Sequence, residues 1–242
     1  MDYAIMSETG SRGINEDFVQ ADTSGDIKCF VVCDGLGGHG SGEVASQMAA
    51  NCLTKYFRQN HDLSEVNLAA AFDSAQKAIL DEQKKRHLRD GMKTTAVALL
   101  TDSTHAVWAH IGDSRLYLFQ KSKVICRTLD HSVPQMLALI GEIKEKQIRN
   151  HPDRSRLLHS LGTEWTDKKY EISELHKLSE CQAFLLCTDG FWELIEEKMM
   201  CKYLKKSHNA QEWLQLMHEE ILRNGRNTDM DNHSAIAVIV KE

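Results

Sequence analysis

The 242-residue chain has only 2 Pro, no linker rich in Gly, Ser or Pro, and no internal repeat, which excludes collagen-like, low-complexity and disordered architectures. Its longest apolar runs, such as 184–187 and 235–240, fall far short of the roughly 20 residues that cross a bilayer, so no membrane span is expected. The opening MDYAIMSETGSRG has no basic stretch followed by an apolar core and does not read as a secretory signal. A cytoplasmic location is the expectation. Positive charge is not in excess either: 29 Lys+Arg against 35 Asp+Glu give a net charge of −6, without the basic footprint of a nucleic-acid-coating protein. The seven cysteines (29, 33, 52, 126, 181, 187 and 201) include no CxxC pair. An odd number so spaced suits neither a disulfide framework nor a thiolate zinc site. Cys29, Cys33 and Cys187 sit inside apolar runs, where a free thiol behaves as a small hydrophobe.

What is present is 42% hydrophobic residues in a globular pattern. Short apolar runs of strand length occupy 29–33, 95–100, 106–111, 115–119, 183–187 and 234–240. Helical stripes lie between them: Ala45, Met48, Ala49, Cys52, Leu53 and Tyr56; Leu68, Phe72, Ala75 and Ile79; Leu214, Met217 and Ile221. Ser132 to Gln135 has the form of a capping box, with Pro134 in the first turn. The short connections between 95–100, 106–111 and 115–119 suggest antiparallel meanders rather than βαβ units. One domain over 1–242 is expected. The polar segment at about 141–180 reads either as a flap over a site or as a helical connection.

Apolar runs repeatedly lead into aspartate: CFVVC into Asp34-Gly35, AHIG into Asp113-Ser114, FLLCT into Asp189-Gly190, with Asp231-Asn232 just ahead of SAIAVIV. Any one of these alone reads as a turn former. Four together, at strand ends that can converge on one rim, are partly desolvated carboxylates that repel unless cations bind them. Hard oxygen donors select Mg²⁺ or Mn²⁺. Two such ions ~4 Å apart can hold a bridging hydroxide and clamp a phosphoryl group for in-line attack. The pattern therefore points to metal-assisted hydrolysis of a phosphoester. The loop Gly35-Leu36-Gly37-Gly38-His39-Gly40 formally satisfies GxGxxG, but Asp34 would stand beside a pyrophosphate and the expected second strand is replaced by a helical pattern over 61–86. Its glycines fit better as a place where a backbone carbonyl, that of Gly35, approaches a metal.

With these residues assembled, the chain resembles the metal-dependent Ser/Thr protein phosphatases, the protein phosphatase 2C-like (PPM) family, in its compact bacterial form. The motifs that carry the resemblance run in family order: SRGINEDF (11–18), VVCDGLGGHGSGEVAS (31–46), MKTTAVALL (92–100), HIGDSRLYLF (110–119), LDHSVPQML (129–137), LLCTDGFWELI (185–195) and MDNHSAIAVIV (230–240). The resemblance implies an α+β fold, a four-layer αββα sandwich of two antiparallel sheets flanked by helices.

It also implies roles. Asp34 would bridge two Mn²⁺ or Mg²⁺ ions, with Asp189 and Asp231 completing one site, the Gly35 carbonyl serving the other and Glu16 holding that ion's water. Asp17 resembles the acid that orients metal-bound water, and Asp113 the ligand shared with Asp189 at the third metal site of bacterial members. Arg12 resembles the arginine that grips the substrate phosphate; read without the resemblance, it is equally a surface arginine paired with Glu16. Thr94-Thr95, Ser114-Arg115, Asn232 and His131 fall in family motifs as braces. Animal-type members carry a histidine two residues after the bridging Asp, where this chain has Leu36. The general acid is then either His39 or a metal-bound water. The implied activity is hydrolysis of phosphoserine and phosphothreonine in proteins by direct attack of the metal-bridging hydroxide, with phosphorylated proteins as substrates and a Ser/Thr kinase as a functional partner. A monomer with no nucleic-acid or membrane partner is expected. The alternative is a catalytically silent pseudophosphatase acting as a binding module, for which Leu36 is the support and the full set of acids the counter-argument.

Overall fold

The computed structural model describes residues 1–36, 41–88 and 91–240. Along them run β1 (Asp2–Glu8), β2 (Asp17–Asp22), β3 (Lys28–Leu36), α1 (Gly42–Gln59), α2 (Glu65–Arg86), β4 (Lys93–Thr94), β5 (Ala96–Thr101), β6 (His105–Ile111), β7 (Arg115–Gln120) and β8 (Lys123–Arg127). They continue with α3 (Val133–Leu139), β9 (Glu171–Ile172), β10 (His176–Lys177), β11 (Ala183–Cys187), α4 (Asp189–Trp192), α5 (Glu197–Lys206), α6 (Ala210–Asn224) and β12 (His233–Ile239). One sheet has the order β1-β12-β11-β7-β8; the other has β10-β6-β5-β3-β2, with β4 on β3 and β9 on β6. Every strand pair is antiparallel.

Alternation along β3 explains the layering. Cys29, Val31 and Cys33 point outward into a core shared with α1 and α2 through Leu53, Phe57, Leu68 and Phe72. Phe30 and Val32 point the other way, into an inter-sheet core with Val97, Leu99, Leu116, Phe184 and Ile236. On the far side, Tyr117, Phe119 and Leu185 meet Trp213, Leu214 and Met217 of α6 and Met200 of α5. Helices, sheet, sheet, helices: the αββα sandwich implied by the family motifs is the architecture observed.

The meander reading holds for β5 and β6, which pair, but not for the next connection. β6 and β7 belong to different sheets, so the chain crosses the seam at 112–114. Gly112 makes the corner at φ +97, where a Cβ would lie 2.6 Å from the Thr95 side chain. A left-handed, sterically closed position of this kind admits only glycine. The crossing places Asp113 between the two sheets. Ser132 caps α3 as expected, its side chain accepting from Gln135 N–H. The reciprocal half of the box is not made, because Gln135 Oε1 accepts from Arg127 instead. Over 141–180 there is no long helical connection. Two 3₁₀ turns (Glu145–Asn150 and Leu178–Glu180) and two two-residue strands paired with β6 lie there, and the segment is tied down at Leu161, which exchanges backbone hydrogen bonds with Thr94, and at Gly162, held by Gln76 and Gln83 of α2.

Candidate active site

Asp34 does not end its strand. β3 continues through it to Leu36, because β4 supplies pairing partners for Gly35 and Leu36. Its neighbours hold the backbone at both ends. Asp34 N–H donates to Thr95 Oγ1 at 3.0 Å, and its carbonyl accepts from Thr94 Oγ1 at 2.8 Å and Thr95 N–H at 2.9 Å. Thr95 Oγ1 is linked in turn to Ser114 Oγ at 2.7 Å. The Thr94-Thr95 and Ser114 braces thus join the strand of one acid to the corner carrying another.

Asp17 opens β2 directly opposite Asp34 in the register, so both side chains leave the same face. Asp113 sits at the seam, its carbonyl accepting from Trp192 Nε1–H at 2.9 Å. Asp189 begins α4, immediately after β11. Asp231 immediately precedes Asn232, a buried amide whose Oδ1 accepts from Glu16 N–H at 2.8 Å and whose Nδ2 donates to the Thr9 and Ile14 carbonyls. Two loops far apart in sequence are locked together there. His131 braces too: its backbone N–H donates to the Gly112 carbonyl and its Nδ1 accepts from Gly112 N–H. Arg115 is buried, forked onto both oxygens of Asp130 at 2.7 and 2.6 Å and stacked on Trp192. Its structural task is clear from those partners.

The result is an open cleft of about 740 Å³ lined by Arg12, Glu16, Asp34, Gly35, Asp113, Asp189 and Asp231, with Leu36 at its wall. Ser155 and Leu157 of the 141–180 segment also line it. Burial and the other acids push the Asp34 and Asp113 carboxyls well above the usual carboxylate range. Asp189 is raised as well, by burial and then by Asp231. Asp17 is pushed up to about 7, chiefly by burial. Glu16 is raised by burial and by Glu43. Arg12 lies at the rim, but its partner is Asp231 rather than Glu16: Nε and Nη2 reach the two carboxylate oxygens at 3.0 and 2.9 Å. His39 lies outside the described residues.

Three features of the donor set fit divalent cations. Asp17 Oδ2 accepts from Thr188 Oγ1 at 2.9 Å, whereas Oδ1 is buried with no hydrogen-bond partner. Such an orphan carboxylate oxygen is costly unless a cation stands nearby. Gly35 leaves a bare backbone: a Cβ there would fall 2.2 Å from the Gly42 carbonyl and 2.6 Å from that of Glu16. The donors are all oxygens, the chemistry of Mg²⁺ and Mn²⁺. Two participants, Thr188 and Glu193, lie in the 185–195 motif without a role legible there. Glu193 sits one turn after Asp189, takes Arg154 as its ion-pair partner at 3.0 Å, and is raised to about 7 by burial and by Asp189. Only the fold brings these partners together.

A two-sheet sandwich with buried acids converging at one rim is the plan of the protein phosphatase 2C family, and the family model with that description matches residues 9–231. The chain belongs to this family. The serine/threonine phosphatase stp of Listeria welshimeri is 32% identical over 188 residues, spanning 75% of this chain and 73% of that one. Among solved structures, serine/threonine phosphatase Stp1 from Staphylococcus aureus superposes with a TM-score of 0.87 at 25% identity, over 100% of this chain and 96% of that one. The catalytic domain of the serine/threonine protein phosphatase PstP, solved with two manganese ions, gives 0.83 at 26% identity over 99% and 98%.

Proposed function

We propose that the chain is a Mn²⁺- or Mg²⁺-dependent phosphatase that hydrolyses phosphoserine and phosphothreonine in proteins, as a single domain. The observation that carries this reading is the convergence of buried carboxylates from both sheets on one open cleft, where burial and then their mutual charge raise the Asp34 and Asp113 carboxyls and Asp17 Oδ1 has no hydrogen-bond partner. Asp34, Asp113, Asp189, Asp231, Glu16 and the Gly35 carbonyl would hold the ions. Bound there, divalent cations supply counter-charge for a phosphoryl group and acidify water at neutral pH.

The protein's own groups do the rest. Arg12 is half exposed in its pair with Asp231, an arrangement that holds it weakly. Its planar fork can exchange a carboxylate for two phosphoryl oxygens with little reorganisation. Asp17, gripped by Thr188, orients donors that approach from the cleft. Attack on phosphorus is direct, without a phosphoenzyme. Supporting this, Cys33 and Cys187 beside the acids are fully buried, and burial pushes both thiols upward, away from thiolate character. An open cleft, rather than a closed pocket, accommodates a side chain on a polypeptide.

The test is hydrolysis of a phosphothreonine peptide in Mn²⁺ and in EDTA, with Asp34→Ala and Asp189→Ala alongside. Turnover that needs metal and drops by ~10³-fold or more in both variants is expected, beyond the 10–100-fold usual for outlying supports of a metal site. Absence of turnover in a folded, Mn²⁺-loaded wild type would instead establish a binding module.

A further inference from the structure

The chain as a whole is acidic, with a net charge of −6, yet three of its segments gather positive charge: 121–127, 144–149 and 196–206 hold ten Lys and Arg against three Glu. The fold brings these segments together. β8, the 3₁₀ turn at 145–150 and the start of α5 surround a cavity of about 700 Å³, separate from the acid cleft. Five cations line it, Arg115, Arg127, Lys146, Arg149 and Lys198, with three glutamates between them. Arg115 is innermost, stacked 3.4 Å above the Trp192 ring, and Arg149 reaches the same ring at 5.6 Å. Burial and then Arg115 lower the Arg127 guanidinium from its ordinary value, as crowding of like charges does. Glu145 pairs with Arg127 and Glu197 with Arg149, but 57% and 39% of those carboxylate side chains stay exposed. Pairs so open to solvent hold weakly, so another anion can take the carboxylate's place. On the same three segments Lys123, Lys146, Lys202, Lys205 and Lys206 are exposed, and none forms an ion pair with a described residue.

This cavity shares a wall with the cleft. α4 is a single turn: its first residue, Asp189, lines the cleft and its last, Trp192, lines the cavity. Three residues of helix separate them by only about 5 Å. Along the surface, Asn150 lines the cavity and Ser155 the cleft. The chain between those two spans at most ~17 Å. It is fastened down on both sides, by Arg149 donating to the Ile195 carbonyl at 2.8 Å and by Arg154 to Glu193 at 3.0 Å.

We propose that the cavity is an anion subsite for the polypeptide substrate, taking a carboxylate or phosphoryl side chain within about five residues of the phosphoresidue in the cleft. Acidic and multiply phosphorylated segments are then the preferred substrates, an inference that rests on the phosphatase reading above. Arginine forks accept either kind of acid, and the unpaired lysines attract it from a distance. A nucleic acid suits the site less well. The aromatic ring of its lining, Trp192, is buried beneath Arg115 and offers no face on which a base can stack.

The test compares phosphothreonine peptides of one sequence whose flanking positions carry Asn, Asp or a phosphoserine. In Mn²⁺ the Asp and phosphoserine peptides should exceed the Asn peptide in kcat/KM by ~10-fold, chiefly through KM, and the double variant Lys146→Glu/Lys198→Glu should bring that ratio close to one. Both lysines are exposed, so the variant is expected to fold. Binding is read separately, by fluorescence anisotropy of the Asp and Asn peptides with threonine in place of phosphothreonine, which leaves nothing to hydrolyse. Wild type should hold the Asp form ~10-fold tighter than the Asn form, and the double variant should not. Equal binding of the two forms, or a preference that survives the double variant, overturns the subsite. So does an oligodeoxynucleotide or an anionic vesicle that outcompetes the Asp peptide, which would assign the basic surface to that partner. Failure to turn over any peptide bears on the phosphatase reading alone, and the anisotropy then decides the subsite by itself.

Discussion

At the scale of single residues, the cleft is an arrangement of carboxyls that solvent cannot fully reach, and pH should reveal it. Glu193 is the member whose side chain bears on the rim without lining it. Its pKa rises from 4.5 to about 7, burial and Asp189 outweighing the Arg154 pair. A raised folded-state value means the native protein holds the proton longer than the unfolded chain between about pH 4.5 and 7. Stability therefore falls as pH climbs through that window, with the cost absent below it and complete above it. The full cost is on the order of 3 kcal/mol, an upper figure for a group that keeps some solvent contact. Glu193→Gln should remove that part of the slope. Denaturation midpoints in EDTA should show the variant gaining on wild type from pH 4 to pH 8, and a difference that is flat with pH would refute the assignment. The role of such a residue is not legible in the sequence, because its environment is made by the fold. Asp34, Asp113, Asp189 and Asp231 were legible because each adjoins a run too apolar to be a loop. The partner of Arg12 was not: the alternative to a phosphate-gripping role was a surface pair with Glu16, four residues away, whereas its partner is Asp231, 219 residues away.

At the scale of elements, legibility followed burial. The runs at 183–187 and 115–119 became β11 and β7 almost unchanged, because both faces of those strands are covered: β11 is apolar throughout, and β7 is apolar apart from Arg115, whose charge Asp130 takes up, and the terminal Gln120. β1 escaped notice. As an edge strand with Tyr3 and Ile5 exposed and only Ala4 fully buried, it carries too little pattern to separate it from a tail. β9 and β10 have two residues each, below any periodicity. Helices were read from their stripes, but their ends depend on local chemistry. Ser64 starts α2 by accepting from Asn67 N–H, and His87 ends it in the left-handed conformation. Ser64→Ala leaves that donor unsatisfied and should cost ~1 kcal/mol. For a chain of this size that lowers the melting midpoint by roughly 2–4 °C. Ser64→Asp, which restores an acceptor, should recover it. A loss shared equally by both variants would show that the cap contributes nothing.

At the scale of the whole molecule, the two sheets come together at the rim through like charges. Asp17 and Asp34 come from the seven-stranded sheet. Asp189 and Asp231 come from the ends of β11 and β12 in the other, and Asp113 from the crossing between them. Without cations this rim opposes the packing that the inter-sheet core drives. Divalent ions held by acids from both sides should therefore act as a fastening between sheets as well as a catalytic centre. Ligands that bind only the native state stabilise it by about 2.7 kcal/mol at a hundred times the dissociation constant. Mn²⁺ at that excess should raise the melting midpoint by roughly 5–10 °C over EDTA. Asp34→Asn removes one of the repelling charges and a central donor at once. It should melt above wild type in EDTA, because a neutral amide is easier to bury there, and should lose most of the Mn²⁺ increment. Equal midpoints for wild type with and without Mn²⁺ would mean that the acids do not share ions across the seam, and that their charge is relieved by protons instead.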